Sequence, residues 1–153
     1  KSGSANREHM IQAESVGIDD GGGAPAVEIR VLADPSQLPV IRGIAGALAA
    51  QNNFDVDVLA DLRLAVDEAS TQLIRRALPG TRLVCTFLID ETRIHFKGSA
   101  ATDGTGGTPA DRGFGWHVLR TLTDDVSMDQ STSPENGATT TIEFVKNIGG
   151  VYA

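Results

Sequence analysis

Glu68 and Gln72 are the residues of this chain whose types and spacing could do chemistry. They lie four apart in the stretch DVDVLADLRLAVDEASTQLIRRA, Asp55 to Ala77. On a helix their side chains therefore project in nearly the same direction, one turn apart. A carboxylate and a carboxamide stacked in that way could jointly address a proton, a water or a hard metal ion. Taken alone, Glu68 reads more simply as a solvated residue of an amphipathic helix. A second stretch, RGFGWHVLRTL, places Gly113 and Gly115 where another helix begins. Taken alone, that pair reads as a flexible helix start.

The element that must position Glu68 is legible from its apolar spacing. Val58, Leu62, Ala65, Val66, Ala69, Leu73 and Ala77 recur at intervals of three and four, the pattern of one buried helical stripe. The spacing predicts a helix of about six turns, with Asp55 or Asp57 able to cap it and Pro79-Gly80 to stop it. Before it, Val27, Ile29 and Val31 alternate with Glu28 and Arg30 as in a half-buried strand. Asp34-Pro35-Ser36 offers cap chemistry for a helix through Val40, Ile41, Ile44 and Leu48, where Pro39 is tolerable because it falls in the first turn. Gln51-Asn52-Asn53 ends that helix.

Beyond the long helix, strands are expected at Arg82 to Ile89 and Thr92 to Gly98, joined as a hairpin by Asp90-Glu91. His95 then points outward with basic neighbours. Ser99 to Asp111 reads as a Gly-, Thr- and Pro-rich loop. A helix follows from Phe114 to about Thr123, burying Phe114, Val118, Leu119 and Leu122. Val126 to Met128 reads as a short strand, Ser131 to Gly137 as a polar turn, and Ala138 to Lys146 as a final strand with Ile142 and Phe144 on one face. The order β-α-α-β-β-α-β-β holds no repeated βαβ unit. It implies an α+β two-layer sandwich, its sheet antiparallel or mixed, with the helices gathered on one face.

Composition bounds the rest. A chain of 153 residues that is 41% hydrophobic supports one domain with a real core. The folded domain is expected over residues 26–148. Residues 1–25 read as a disordered tail, up to His9 a vector remnant ahead of a start at Met10, the alternative being a natural regulatory tail. Twenty acidic against 13 basic residues give a net charge of -7 spread along the chain. Such a surface repels nucleic acid and suits a basic protein partner. The single cysteine, Cys85, lies in the apolar run LVCTFLI and reads as a buried, inert thiol. His9, His95 and His117 are scattered without metal-site spacing. No run approaches a membrane span and no signal segment is visible, so a cytoplasmic location is expected.

LRLAVDEASTQLIRRA resembles the N-box helix of the RsbW/SpoIIAB-type anti-sigma factors, serine-protein kinases of the GHKL (Bergerat-fold) ATPase superfamily, and RGFGWHVLRTL follows at the expected distance. The wording LADLRLAVDEAST is closer to actinobacterial, mycobacterial anti-sigma-F-like members than to the sporulation type. The resemblance covers Ala26 to Lys146. It implies the Bergerat, histidine-kinase-like ATPase fold with a mixed, mostly antiparallel sheet.

For the site, the resemblance implies that Glu68 is the catalytic base. The family has an Asn four residues on that holds Mg2+ against the nucleotide phosphates. Gln72 stands in that place, one methylene longer, and can offer Mg2+ a carbonyl oxygen. Gly113 and Gly115 match the family's phosphate-wrapping Gly-x-Gly, where side-chain-free residues let N–H groups and the positive helix end approach phosphate, and Arg112 adds a charge of the right sign. The loop from Gly104 through Gly106 to Gly115 would close over the phosphates. The family's Asp for the adenine amino group aligns with Ser99 to Ala101, so Asp103-Gly104 comes two or three residues late. Arg42, the basic residue of the first helix, stands where family members contact both sigma factor and antagonist; read alone it is an ordinary exposed Arg.

The implied function is that of an anti-sigma factor in stress-response transcription, silencing an alternative sigma factor. With ATP and Mg2+ as cofactors it would phosphorylate a serine of an anti-anti-sigma (STAS-type) protein. A homodimer is compatible with the family. The alternative is a degenerate interaction module that keeps the fold and sequesters a sigma factor without nucleotide chemistry. A phosphorelay sensor is disfavoured because no phosphoacceptor helix precedes the domain.

Overall fold

The computed structural model of the chain describes residues 26–104, 114–135 and 137–148. The tail expected over residues 1–25 lies outside them. In chain order the elements are β1 (Ala26–Leu32), a 3-10 turn (Pro35–Gln37), α1 (Leu38–Gln51), α2 (Val56–Arg76), β2 (Arg82–Ile89), β3 (Arg93–Thr102), α3 (Phe114–Leu122), β4 (Asp125–Ser133) and β5 (Gly137–Asn147). The strands form one sheet in the order β1-β2-β3-β5-β4, and every neighbouring pair runs antiparallel. The fold is α+β with the helices over one sheet face, and the sheet is the antiparallel limit of the mixed arrangement expected.

Strict alternation along β2, β3 and β5 sends every second residue into the core. Register does the rest, since Phe96 pairs with Phe87 on one side and with Phe144 on the other. All three rings are buried, with centroid separations of 5.3 Å and 5.0 Å. Onto this aromatic bar α2 lays Leu62, Val66, Ala69 and Leu73, while α1 adds Ile41 and Ala45 and α3 adds Leu119. At Gly98 α2 comes so close that a Cβ would stand 2.8 Å from Leu73 Cδ1. The missing side chain sets how deeply the helix sits on the sheet.

Two turns are fixed by carboxylates. Asp34 accepts from the Ser36 N–H at 2.9 Å and opens the 3-10 turn ahead of α1. Asp90 accepts from the Thr92 and Arg93 N–H groups at 2.8 and 3.0 Å, which delays β3 until Arg93. Asp55 does occupy the position before α2 in an extended conformation, but its side chain makes no cap bond there. Its carbonyl instead receives the Leu59 N–H. After Arg76 the chain leaves the helix, and the Leu78 N–H bonds Ala101 O.

Three expectations need correction. Ser99 to Thr102 belong to β3 and not to a loop, because Ser99 and Thr102 meet Thr141 and Thr140 of β5 through their hydroxyls at 3.1 and 3.0 Å. Cross-strand hydroxyl pairs of this kind stabilise a ladder that composition alone does not announce. The strand expected at Val126 to Met128 runs from Asp125 to Ser133, pairing to Gly137. Ser131 to Ser133 are therefore ladder residues and not part of a polar turn. Of the rest of the loop expected to Asp111, Asp103 and Gly104 are described and residues 105–111 lie outside the described residues. Among the described residues no helix is long and apolar enough to cross a membrane.

Phe96→Ala should cost about 3–5 kcal/mol, the usual penalty for removing a buried ring that its neighbours cannot refill. Equilibrium unfolding in urea would read it as a lower midpoint. Burial pushes the Cys85 thiol up to about 12, the neighbouring Ser70 hydroxyl opposing the shift. The reactive species is the thiolate, and at pH 8 a thiol with so high a pKa is almost wholly neutral. Cys85 should thus resist a thiol-specific dye at pH 8 and react only as fast as the domain unfolds.

Candidate functional site

Glu68 and Gln72 lie on the flank of α2, to one side of its buried stripe, and both are half-buried. The Gln72 amide nitrogen donates to Glu68 Oε2 at 2.9 Å. That bond orients the amide, leaving its carbonyl oxygen as the other acceptor of the pair. The backbone of α3 arrives directly over them. A Cβ built on Gly115 would collide with Glu68 Oε2 and Gln72 Nε2 and press on Glu68 Cδ at 3.0 Å. No other residue type could stand there without moving the helix or the pair.

The chemistry of this arrangement follows from its parts. α3 begins at Phe114, so the N–H groups of its first turn, Gly115 among them, have no partner within the helix. They and the positive dipole end attract anionic groups to the place where Glu68 stands. The donors beside them are one carboxylate and one carboxamide, both hard oxygen ligands. Among the described residues no group of three His, Cys, Asp or Glu side chains could hold a metal on its own. One or two protein oxygens suit a Mg2+ ion that keeps waters and takes its remaining ligands from phosphate. The residues present fit a metal brought in by a nucleotide.

Asp103 and Gly104 belong to a different set of contacts, at the end of β3. Asp103 is exposed, and Gly104 takes a φ of +79°, with its N–H 3.3 Å from Thr102 Oγ1. The Thr102 and Thr140 side chains are buried together at the strand end. Gly106, Arg112 and Gly113 lie outside the described residues. Arg42 is held on the opposite flank of α2, its Nε donating to Asp67 Oδ1 at 2.9 Å. The structure thus brings Glu68, Gln72 and Gly115 together, sets Asp103 with Gly104 on Thr102, and pairs Arg42 with Asp67. His95 stands on the sheet face away from the helices, 3.6 Å from Glu143.

Sequence reasoning missed Asp67, the hydroxyl pair Thr102 and Thr140, and Lys146. The last had a signal. Ile142 and Phe144 face the core, and strand parity puts Lys146 on the same side. A cation in that register needs partners, and it finds the Leu122 carbonyl at 2.9 Å and Asp61 Oδ2 at 3.4 Å. Thr102 and Thr140 gave no signal beyond a Thr-rich strand.

Residues 31–145 match the family described as the histidine kinase-like ATPase domain. Two relatives, the anti-sigma-F factor RsbW of Mycobacterium tuberculosis strain CDC 1551 / Oshkosh and that of strain ATCC 25618 / H37Rv, are each 42% identical over 104 residues. The match takes in 68% of this chain but 61% of each relative's length. The family match over residues 31–145 contains α1, α2, α3, Glu68, Gln72 and Gly115. The chain belongs to the histidine kinase-like ATPase domain family, and within it is similar to the RsbW-type anti-sigma factors.

Proposed function

We propose that this domain is a cytoplasmic anti-sigma factor of the serine-kinase type, which captures an alternative sigma factor and phosphorylates a serine of an anti-anti-sigma, STAS-type protein. The observation that carries the reading is the contact of Gly115 with Glu68 and Gln72, a base beneath a helix start, in a family named for its ATPase domain. Bound Mg-ATP would supply the γ-phosphoryl group. Glu68 accepts the proton of the serine hydroxyl, and its second oxygen, Oε1, is the one to do so while Oε2 holds Gln72. The carbonyl oxygen of Gln72 would hold Mg2+, and the first turn of α3 would orient the phosphates. Gly104, Gly106, Arg112 and Gly113 complete the cover over the phosphates in this reading, with Asp103 as the adenine acceptor.

A second reading has its own observation. Gln72 extends its amide nitrogen to Glu68, so the residue in the metal-ligand place is engaged with the residue in the base place. A degenerate module that binds a sigma factor without nucleotide would look the same. Titration with a fluorescent ATP analogue separates the two. The kinase reading expects saturable, Mg-dependent binding that Gly115→Ala weakens, because its new Cβ must displace the Glu68 and Gln72 side-chain ends from their places. Glu68→Gln should then lower phosphoryl transfer by about 10²–10⁴-fold, the usual contribution of a positioned base. Wild-type protein that shows no saturable binding with Mg2+ present would leave the module.

Arg42 gives a test of the partner surface. Arg42 and Asp67 are 40% and 32% exposed, and pairs so placed contribute less than about 1 kcal/mol. Arg42→Ala should therefore leave the unfolding midpoint nearly unchanged while it weakens capture of the sigma factor in a pull-down. Capture at the wild-type level would remove Arg42 from the interface.

A further inference from the structure

The Glu68 site depends on where α3 lies along α2, and two contacts seven residues apart on each helix define that register. At one end Gly115 of α3 meets Glu68 of α2. At the other, Lys146 of β5 reaches the Leu122 carbonyl of α3 and Asp61 of α2 together, at 2.9 and 3.4 Å. Glu68 follows Asp61 by seven residues, and Leu122 follows Gly115 by seven, so the helices run antiparallel with matched spans. Each span is roughly 10 Å, about two turns, which keeps both contacts on the same pair of helix faces.

The two ends are held differently. The C-terminal end of α3 is tied to β5 by Asp124 N–H to Val145 O and by Asn147 N–H to the Asp124 carboxylate, at 2.9 and 2.7 Å. Those bonds fix the chain after α3 to the sheet, but neither touches α2. Lys146 does both. Its side chain is only 13% exposed, against 44% for Asp61, and a largely buried ammonium needs its partners, which makes the bond to the Leu122 carbonyl directional. It also places a cation at the negative end of the α3 dipole.

We propose that Lys146 is a positioning residue for the Glu68 site: by binding the last carbonyl of α3 and Asp61 of α2 at once, it sets the register at which Gly115 rests on Glu68 and Gln72. This deepens the nucleotide reading given above and rests on it for its functional consequence. Lys146 touches neither nucleotide nor substrate in this account, and acts through the seat of α3.

The full chain carrying Lys146→Met keeps the length and bulk of the side chain and removes its charge. Binding of the fluorescent Mg-ATP analogue should weaken about tenfold, as for loss of a supporting contact behind a ligand, and Lys146→Arg should restore most of it. Amide exchange at Gly115 to Leu119 should quicken in Lys146→Met while exchange in β2 and β3 stays as in wild type. A purely structural role would quicken exchange everywhere and would not be rescued by Arg. Wild-type protein that fails to bind the analogue would overturn the nucleotide reading, and the exchange pattern then decides the positioning claim alone. Unchanged α3 exchange in Lys146→Met, or equal loss of binding in the Met and Arg variants, would overturn it.

Discussion

At Gly115 the backbone of α3 lies so close to Glu68 and Gln72 that a Cβ there would collide with the ends of both side chains. Helices packed through side chains keep their axes about 8–10 Å apart. A glycine in the contact lets one helix settle onto polar groups of the other, and there the partial charges of the helix start act at short range. Neither a carboxylate on an open helix nor a glycine at an open helix start would be notable. Their contact creates a place where an acid, an amide and the backbone N–H groups of the first described turn of α3 converge.

That contact rests on the close packing of α2 against the sheet. Leu62, Val66, Ala69 and Leu73 are wholly buried against the ring bar of Phe87, Phe96 and Phe144, and Gly98 admits Leu73 where a larger residue would lift it. A helix seated at both ends by core residues keeps its flanks at fixed angles to the sheet. Glu68 can then be half-buried and still aim at one point. α3 is the shorter element, nine residues with Leu119 as its fully buried residue, so its placement relies more on the polar ties at its C-terminal end. The site has one wall set by hydrophobic packing and one set by hydrogen bonds.

What was legible in the sequence follows the same division. Period-3.6 spacing marked α2 to within a residue at each end, because five apolar residues, Leu62, Ala65, Val66, Ala69 and Leu73, are buried on one stripe, with Ser70 the one buried polar residue beside them. β5 showed the period of two at Ile142 and Phe144, whereas β2 was legible as the apolar run LVCTFLI. The end of β3 and the length of β4 were not legible. Ser99 and Thr102 are held by hydroxyl pairs to Thr141 and Thr140 across the ladder, and in SAATDG the small, polar and Gly residues outweigh any strand signal from the one Thr. Glu68 and Gln72 could be placed on one flank from spacing alone. That Gln72 would spend its amide on Glu68 could not, since a Gln four residues after a Glu is as often solvated as bonded. Lys146 was readable by parity, and shows that a charged residue on the core side of a strand is a question about what lies above it.

Consecutive residues on a helix point about 100° apart, and at positions 67 and 68 α2 uses that angle to separate two tasks. Asp67 turns to α1 and holds Arg42, whereas Glu68 turns to α3 and lies under Gly115. Under the proposed function, a partner acid that recruits Arg42 competes with Asp67. The half-exposed pair is worth less than about 1 kcal/mol, so the exchange meets little resistance. The loss of Arg42 from Asp67 leaves the buried stripe of α2 untouched, since neither residue contributes to it. Partner capture on the α1 side can thus proceed without tilting the wall that carries Glu68. Any influence of one flank on the other must pass through charge at Asp67, the nearest neighbour of Glu68 in the chain, and not through displacement of the helix.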